Sequence, residues 1–223
     1  MPNSRQAVLF FDLDGVVIDS KTGIGIGLNI AMKEWGLSPI TTSELDYLIG
    51  PAFQTTVPSL LTSRNIGTDR TSEFIATYRY HYAEIIRKTP LMPDMKKVLE
   101  TLGSSWPLAI VTSKPETQTH AVLESTGIID HFDVIVGAQP DELVKKGVLL
   151  ARACGLIRDI HGFDPKHERS WIVGDRHHDI DAAVEEGISS IGVLWGYGSL
   201  EELRRAGADH IISEPVELLE LLQ

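Results

Sequence analysis

The segment AVLFFDLDGVVIDS ends a run of apolar residues in two aspartates, Asp12 and Asp14, with one leucine between them. Two carboxylates that close repel, and one tends to stay protonated unless a cation or a hydrogen bond compensates, so such an ending is costly where no chemistry uses it. Other apolar runs also lead into polar groups: Thr112 and Ser113 follow LAIV, Asp175 and Asp179 follow WIV, and Lys146 opens a helix-patterned segment after DVIVGA. A strand-end Asp taken alone is an ordinary turn or cap residue. The whole set on separate runs is a convergent one, with carboxylates that can share a cation and an amine that can meet an anion.

For these groups to meet, the runs must lie side by side. AVLFFDL, PLAIVTS, DVIVGA, SWIVGD, SSIGVLWG and DHIIS are continuously apolar, as in strands covered on both faces, and they alternate with segments of helical period. This pattern predicts an α/β fold with a doubly wound, Rossmann-like parallel sheet, in which ligands bind outside the carboxyl ends of the strands. The alternation breaks once, between Ser20 and about Pro93, where GIGLNIAMKEWG, TSELDYLIG, PSLLTS and TSEFIATYRYHYAEIIRK carry only helical patterning. Thr41 and Glu44 form a capping-box signature, and Pro90 and Pro93 punctuate the exit. The expected organisation is a core of residues 1–19 and 94–223 with an inserted helical cap domain over 20–93. Later helices, among them MKKVLETLG, THAVLESTG, KKGVLLARACG, DIDAAVEEG and SLEELRRAG, are each predicted to end at Gly.

The 223 residues carry 20 basic and 31 acidic side chains, a formal net charge of -11. That balance argues against a nucleic-acid partner and against docking on an anionic membrane, and an anionic substrate would need a local site with its own positive charge. The sole cysteine, Cys154, excludes an internal disulfide framework and fits a small apolar role on a helix. MPNSRQ leads straight into a strand-like run, and no apolar stretch is long enough to span a bilayer, so the expected location is the cytoplasm. Nothing in the sequence speaks to oligomeric state.

FFDLDGVVIDS, VTSKP, the lysine of LVKKG and VGDRHHDIDAA together resemble the four motifs of the haloacid dehalogenase superfamily, in particular its phosphatase branch, similar to phosphoglycolate phosphatases and bacterial 5'-nucleotidase-like proteins. The tail IGVLWGYGSLEEL with AGADHII is similar to the nucleotidase-like branch, and Val16 stands where the family commonly has Thr. The resemblance implies that Asp12 is a nucleophile forming an aspartyl-phosphate, and that Asp14 is the general acid and base. It implies a magnesium ion held by Asp12, the Asp14 main-chain carbonyl and Asp175. Thr112 and main-chain N–H groups near Ser113, at the start of the following helix, would bind phosphoryl oxygens. Lys146 would give the phosphoryl group a fixed positive charge, Lys145 being the competing residue and Gly147 the small residue that favours Lys146. Asp179 would act through Lys146 or a metal-bound water. The partner is then a small phosphorylated metabolite: phosphoglycolate, a nucleoside monophosphate or a sugar phosphate. A mutase similar to β-phosphoglucomutase is the alternative; a dehalogenase, needing neither Asp14 nor a cation, and a non-catalytic phosphate or metal sensor fit the motif set less well.

Several other features have simpler readings. TGIGIGLN lacks a complete GxGxxG and follows no strand directly, which speaks against a dinucleotide site. His177 and His178 read as loop filling or a substrate-edge contact, Tyr78 and Tyr82 as packing within the insertion, and Trp195 and Tyr197 as packing in a turn before a Ser199/Glu202 capping box. Both connections of the insertion lie near the proposed reacting phosphate, so a cap that closes there would exclude water and decide specificity. Gly50 and Pro51, in LIGPAF between two predicted helices, and Arg79 are the candidate cap contacts.

Overall fold

The computed structural model describes residues 7–139, 143–167 and 169–222. Among them, six strands form one all-parallel sheet: β1 (Ala7–Phe11), β2 (Leu108–Pro115), β3 (Val134–Ala138), β4 (Arg169–Gly174), β5 (Ser189–Val193) and β6 (His210–Ile212), in the order β3-β2-β1-β4-β5-β6. The predicted Rossmann-like sheet is therefore the observed one. The continuous apolar runs have a direct cause, because each central strand feeds two cores at once. Leu9, Phe11, Leu108, Ile110, Trp171 and Val173 point to one face, and Val8, Phe10, Ala109, Val111 and Ile172 to the other. Register then sets the site: Phe11 lies opposite both Ile110 and Val173, so Asp12, Thr112 and Asp175 emerge from neighbouring strands at nearly the same level.

Between β1 and β2 the chain forms α1 (Lys21–Glu34), α2 (Thr42–Leu48), α3 (Phe53–Ser63) and α4 (Thr71–Ile85), then returns through α5 (Met95–Gly103). The Thr41/Glu44 capping box starts α2 in both of its hydrogen bonds. The glycines of α1 serve close packing: a Cβ at Gly27 would lie 3.1 Å from Tyr78 Cε2, and one at Gly23 3.2 Å from Ile85 Cγ2, both on α4. Tyr78 and Tyr82 stack with ring centroids 5.0 Å apart against this face. The apolar interior of the insertion, with Leu28, Met32, Phe74 and Tyr82, is continuous through Leu13, Val16, Val17 and Ile18 with the core on one face of the sheet. The two connecting segments pair with each other. Asp19 N donates to Pro90 O and Met92 N to Val17 O, both at 2.9 Å, around an antiparallel Ile18–Leu91 bridge.

The remaining helices are α6 (Glu116–Thr126), α7 (Lys146–His161), α8 (His177–Glu186), α9 (Leu200–Ala206) and α10 (Glu217–Leu221). Helices α6, α8 and α9 stop at left-handed Gly127, Gly187 and Gly207, as expected. One expected stop moves. Helix α7 runs through Gly155 to a left-handed Gly162, because the extra turns bury Ile157, which outweighs the roughly 1 kcal/mol cost of one interior glycine. Helix α5 ends at Gly103 as expected, but without a left-handed residue, Ser104 following in a right-handed conformation. Cys154 is buried on α7. Among the described residues no helix is long and apolar enough to cross a membrane.

Candidate active site

Just past β1, the Asp12 main chain stays tied to the sheet, its N–H donating to Val173 O at 2.9 Å. Its side chain meets the first residue of α7: Lys146 Nζ donates to Asp12 Oδ1 at 2.6 Å and lies 2.9 Å from Asp179 Oδ1. Asp175, after β4, completes the group, with one carboxylate oxygen from each of Asp12, Asp175 and Asp179 inside a 4.8 Å span. Asp175 Oδ2 accepts from Tyr197 N at 2.6 Å, while Asp175 Oδ1 is buried without a hydrogen-bond partner. Three buried carboxylates against one ammonium leave uncompensated negative charge, and an orphaned carboxylate oxygen within it is the donor set a hard cation takes. The same imbalance shows in proton affinity. Burial pushes the Asp12 carboxyl up to about 7 against the pull of Lys146, and burial with the nearby Asp12 raises Asp175 well above the usual carboxylate range. Burial alone would lower the Lys146 ammonium, but Asp12 and Asp179 more than offset it and hold it above the ordinary amine range. Lys145 stands at the N-cap position of α7 and both lysines line a neighbouring cleft, but it is Lys146 whose ammonium meets Asp12 and Asp179.

Beyond Asp12 the chain makes a tight turn in which Leu13 O accepts from Val17 N and Ile18 N, both at 3.0 Å. Gly15 sits there at φ +84°, and a Cβ on it would overlap Asp175 Oδ2 and crowd the Tyr197 ring, so only glycine fits. The turn sets Asp14 beside a residue that sequence reasoning passed over, Lys114, whose Nζ is 3.2 Å from Asp14 Oδ2 and 5.1 Å from the centre of the Tyr82 ring. Lys114 is buried, which by itself would lower its ammonium; Asp14 and Tyr82 outweigh burial and raise it. Asp14 Oδ1 is buried without a partner. The signal for Lys114 was its spacing: two residues after Thr112 on an extended chain, it shares Thr112's side of the strand.

Helix α6 does not begin at Ser113 as expected. Strand β2 continues through a register shift to Pro115, so Thr112 and Ser113 belong to the strand and α6 starts at Glu116. Thr112 is buried, and its Oγ1 accepts from Lys114 N at 3.2 Å. The N–H groups available near Ser113 are thus those of an irregular strand end, whose bulge re-aims the chain.

Two clefts flank Ser113, Pro51 and Ala52. One, about 60 Å³, is walled by Asp14, Lys114, Gly50, Phe53, Tyr78 and Arg79, so it joins the strand ends to all three residues expected on the insertion. The other, about 630 Å³, is lined by Lys145, Lys146, Arg176, His177, His178, Tyr47 and Thr55. Trp195 and Tyr197 pack against the core as expected, and both also make polar contacts. Tyr197 OH accepts from Ser20 N at 2.9 Å and Lys21 N at 3.0 Å, tying the start of α1 to the loop that holds Asp175. Trp195 Nε1 donates to Val16 O at 3.1 Å. Ser199 Oγ does accept from Glu202 N, but the Glu202 carboxylate turns away from Ser199 to Arg176 and His177, so the capping box is half made.

A family model described as haloacid dehalogenase-like hydrolase matches residues 9–193. The tyrosine-protein kinase PtkA of Mycobacterium tuberculosis is 33% identical over 207 residues, covering 88% of this chain and 65% of the relative, so the chain spans about two thirds of that protein's length. The phosphoglycolate phosphatase of Aquifex aeolicus is 28% identical, with 96% of each chain covered. Among solved structures, a haloacid dehalogenase-like hydrolase from Streptococcus pneumoniae superposes with a TM-score of 0.85 at 29% identity, covering 99% of each chain.

Proposed function

This chain belongs to the haloacid dehalogenase-like hydrolase family, and from that premise we propose that it is a Mg²⁺-dependent phosphatase acting on a small phosphomonoester through an aspartyl-phosphate on Asp12. The observation that carries the reading is the buried Asp12–Lys146–Asp175 cluster, whose Lys146 lines the larger cleft, together with the Asp14–Lys114 pair in the wall of the smaller chamber.

In this mechanism an Asp12 carboxylate oxygen attacks phosphorus in line, forming one P–O bond as the bond to the leaving oxygen breaks. Lys146 fixes the attacking carboxylate and offsets the charge that builds on the phosphoryl oxygens. Asp14 donates a proton to the leaving oxygen, then takes one from the water that hydrolyses the aspartyl-phosphate and regenerates Asp12. Lys114 holds one Asp14 oxygen and leaves the other, buried and unpartnered, for that exchange. Asp12, Asp175 and the Asp14 carbonyl would hold Mg²⁺, which when bound offsets phosphoryl negative charge. Thr112 and Ser113 supply phosphoryl contacts, and Asp179 keeps Lys146 in place.

We place the leaving group in the chamber of about 60 Å³ walled in part by Asp14, Arg79 and Lys114, and not in the cleft of about 630 Å³ that Lys146 lines, because Asp14 is the proton donor to the leaving oxygen; a chamber of that size suits a short, anionic or polar group. In that respect the substrate resembles phosphoglycolate, the compound in the name of the Aquifex aeolicus relative, more than a nucleoside monophosphate. The likeness to PtkA favours a second reading, in which a tyrosine hydroxyl replaces water as the acceptor.

Phosphate release should be measured with Mg²⁺ over phosphoglycolate, nucleoside monophosphates, sugar phosphates and p-nitrophenyl phosphate, with 2-chloropropionate as the dehalogenase control. Turnover is expected for at least one small ester and none for the chloroacid. No release from any ester would sink the phosphatase reading, and transfer of ³²P from ATP to a tyrosine peptide would favour the second.

A further inference from the structure

Directly after Asp175, the Arg176 side chain leaves the acid cluster and reaches across to the insertion. Its Nη1 donates to Ile49 O at 2.9 Å, the carbonyl that precedes Gly50 and Pro51 in the wall of the chamber. Its Nε donates to Glu202 Oε1 at 2.9 Å, and the same oxygen accepts from His177 N at 3.0 Å and lies 2.8 Å from His177 Nδ1. The guanidinium is therefore aimed from behind by a carboxylate that is itself pinned. The loop is shaped around it: Gly50 adopts φ +107°, which side-chain-bearing residues rarely take, and a Cβ there would lie 3.2 Å from Arg176 Nη1.

We propose that Arg176 is a positioning residue that seats the Ile49–Pro51 loop over the chamber, making leaving-group selection depend on a contact anchored next to Asp175. The proposal rests on the phosphatase reading above. Only a guanidinium presents two N–H vectors in a rigid fork toward a carboxylate on one side and a carbonyl on the other; a lysine ammonium is a point charge that satisfies one of them at a time. A hydrogen bond from a charged donor to a main-chain carbonyl is strong enough to hold a short turn without burying apolar surface.

Amide hydrogen exchange of the full chain without substrate tests the seating directly. In Arg176→Met, segment 45–57 is expected to exchange about ten-fold faster, while β1 and β4 keep wild-type protection. Arg176→Lys should fall between the two. Over phosphomonoesters of increasing leaving-group size, Arg176→Met should raise KM about ten-fold with a smaller change in kcat, and reorder the esters. Wild-type exchange in 45–57, or faster exchange with KM and ranking unchanged, would overturn the proposal. Lost protection in β1 and β4 as well would make Arg176 general support and overturn it equally. If the wild type hydrolyses none of the esters, the phosphatase reading fails by itself, while exchange still decides whether Arg176 seats the loop.

Discussion

On the sheet side of the site, Asp12, Thr112, Lys146, Asp175 and Asp179 come from three strand ends and two helix starts, and all are buried. On the insertion side, Gly50, Pro51 and Arg79 come from one interhelical turn and one helix face, and all are partly exposed. The first group is fixed by parallel register, which cannot slip by one residue without exchanging the side chains that fill the two differently packed cores. The second is held by a few polar contacts at a loop. A site divided this way can keep its reaction constant while its selectivity changes, since loop contacts are cheap to alter and strand register is not.

The division can be broken from the sheet side with the largest effect. Asp12→Asn is expected to lower phosphate release about a thousand-fold or more for every ester alike while far-UV circular dichroism stays native, and beryllium fluoride should form an adduct on wild-type Asp12. A variant with normal rates would end the covalent mechanism. Lys146→Ala is expected to cost about a hundred-fold or more in kcat, and about 3 kcal/mol in urea unfolding because Asp12 and Asp179 lose their shared cation, with Lys145→Ala near wild type in both. The reverse order would reassign the lysine. On the insertion side, Arg79→Ala should change kcat/KM by about ten-fold or less, unevenly across substrates, and least for p-nitrophenyl phosphate. Uniform losses would mean the insertion gives support without selecting.

The smallest effect is at the border between the two regions. Burial alone would raise the Glu202 carboxyl, but hydrogen bonds from His177 and Arg176 hold it at about 2, below the ordinary carboxylate value of 4.5. A carboxyl depressed in the folded state adds stability above its unfolded value and loses it as pH falls, here between about 4.5 and 2. Because the group is partly solvated, the contribution is about 1 kcal/mol or less. Urea midpoints measured from pH 6 to pH 2 should therefore fall slightly more steeply for the wild type than for Glu202→Gln, and parallel curves would show that the pair adds nothing.

The sheet was legible because burial on both faces leaves a local mark, a short run with no polar residue; Asp12, Thr112 and Asp175 stand at the ends of those runs, and Lys146 and Asp179 lie in the first turns of the helices that come next. The starts and stops were less so: Gly155 reads as a terminator until Ile157 is known to be buried. Lys114 was missed because a lysine beside Ser and Pro in VTSKP resembles a solvated turn, and only the continuation of β2 past Val111 turns it inward. Arg176 was invisible for a different reason. Its partner on the insertion is a main-chain carbonyl 127 positions away, and a carbonyl belongs to every residue, so the contact leaves no trace in side-chain type.

The paired connections at Val17–Asp19 and Pro90–Met92 have a mechanical consequence. Two single-chain tethers would let the insertion swing, roll and shear, and each of those freedoms would have to be lost whenever the chamber assembled. Hydrogen-bonding the tethers into one ribbon couples them, so that neither connection can shift without carrying the other. The entropy of placing the insertion is then met largely by the ribbon, and one guanidinium meeting one carbonyl has only the Ile49–Pro51 loop left to fix.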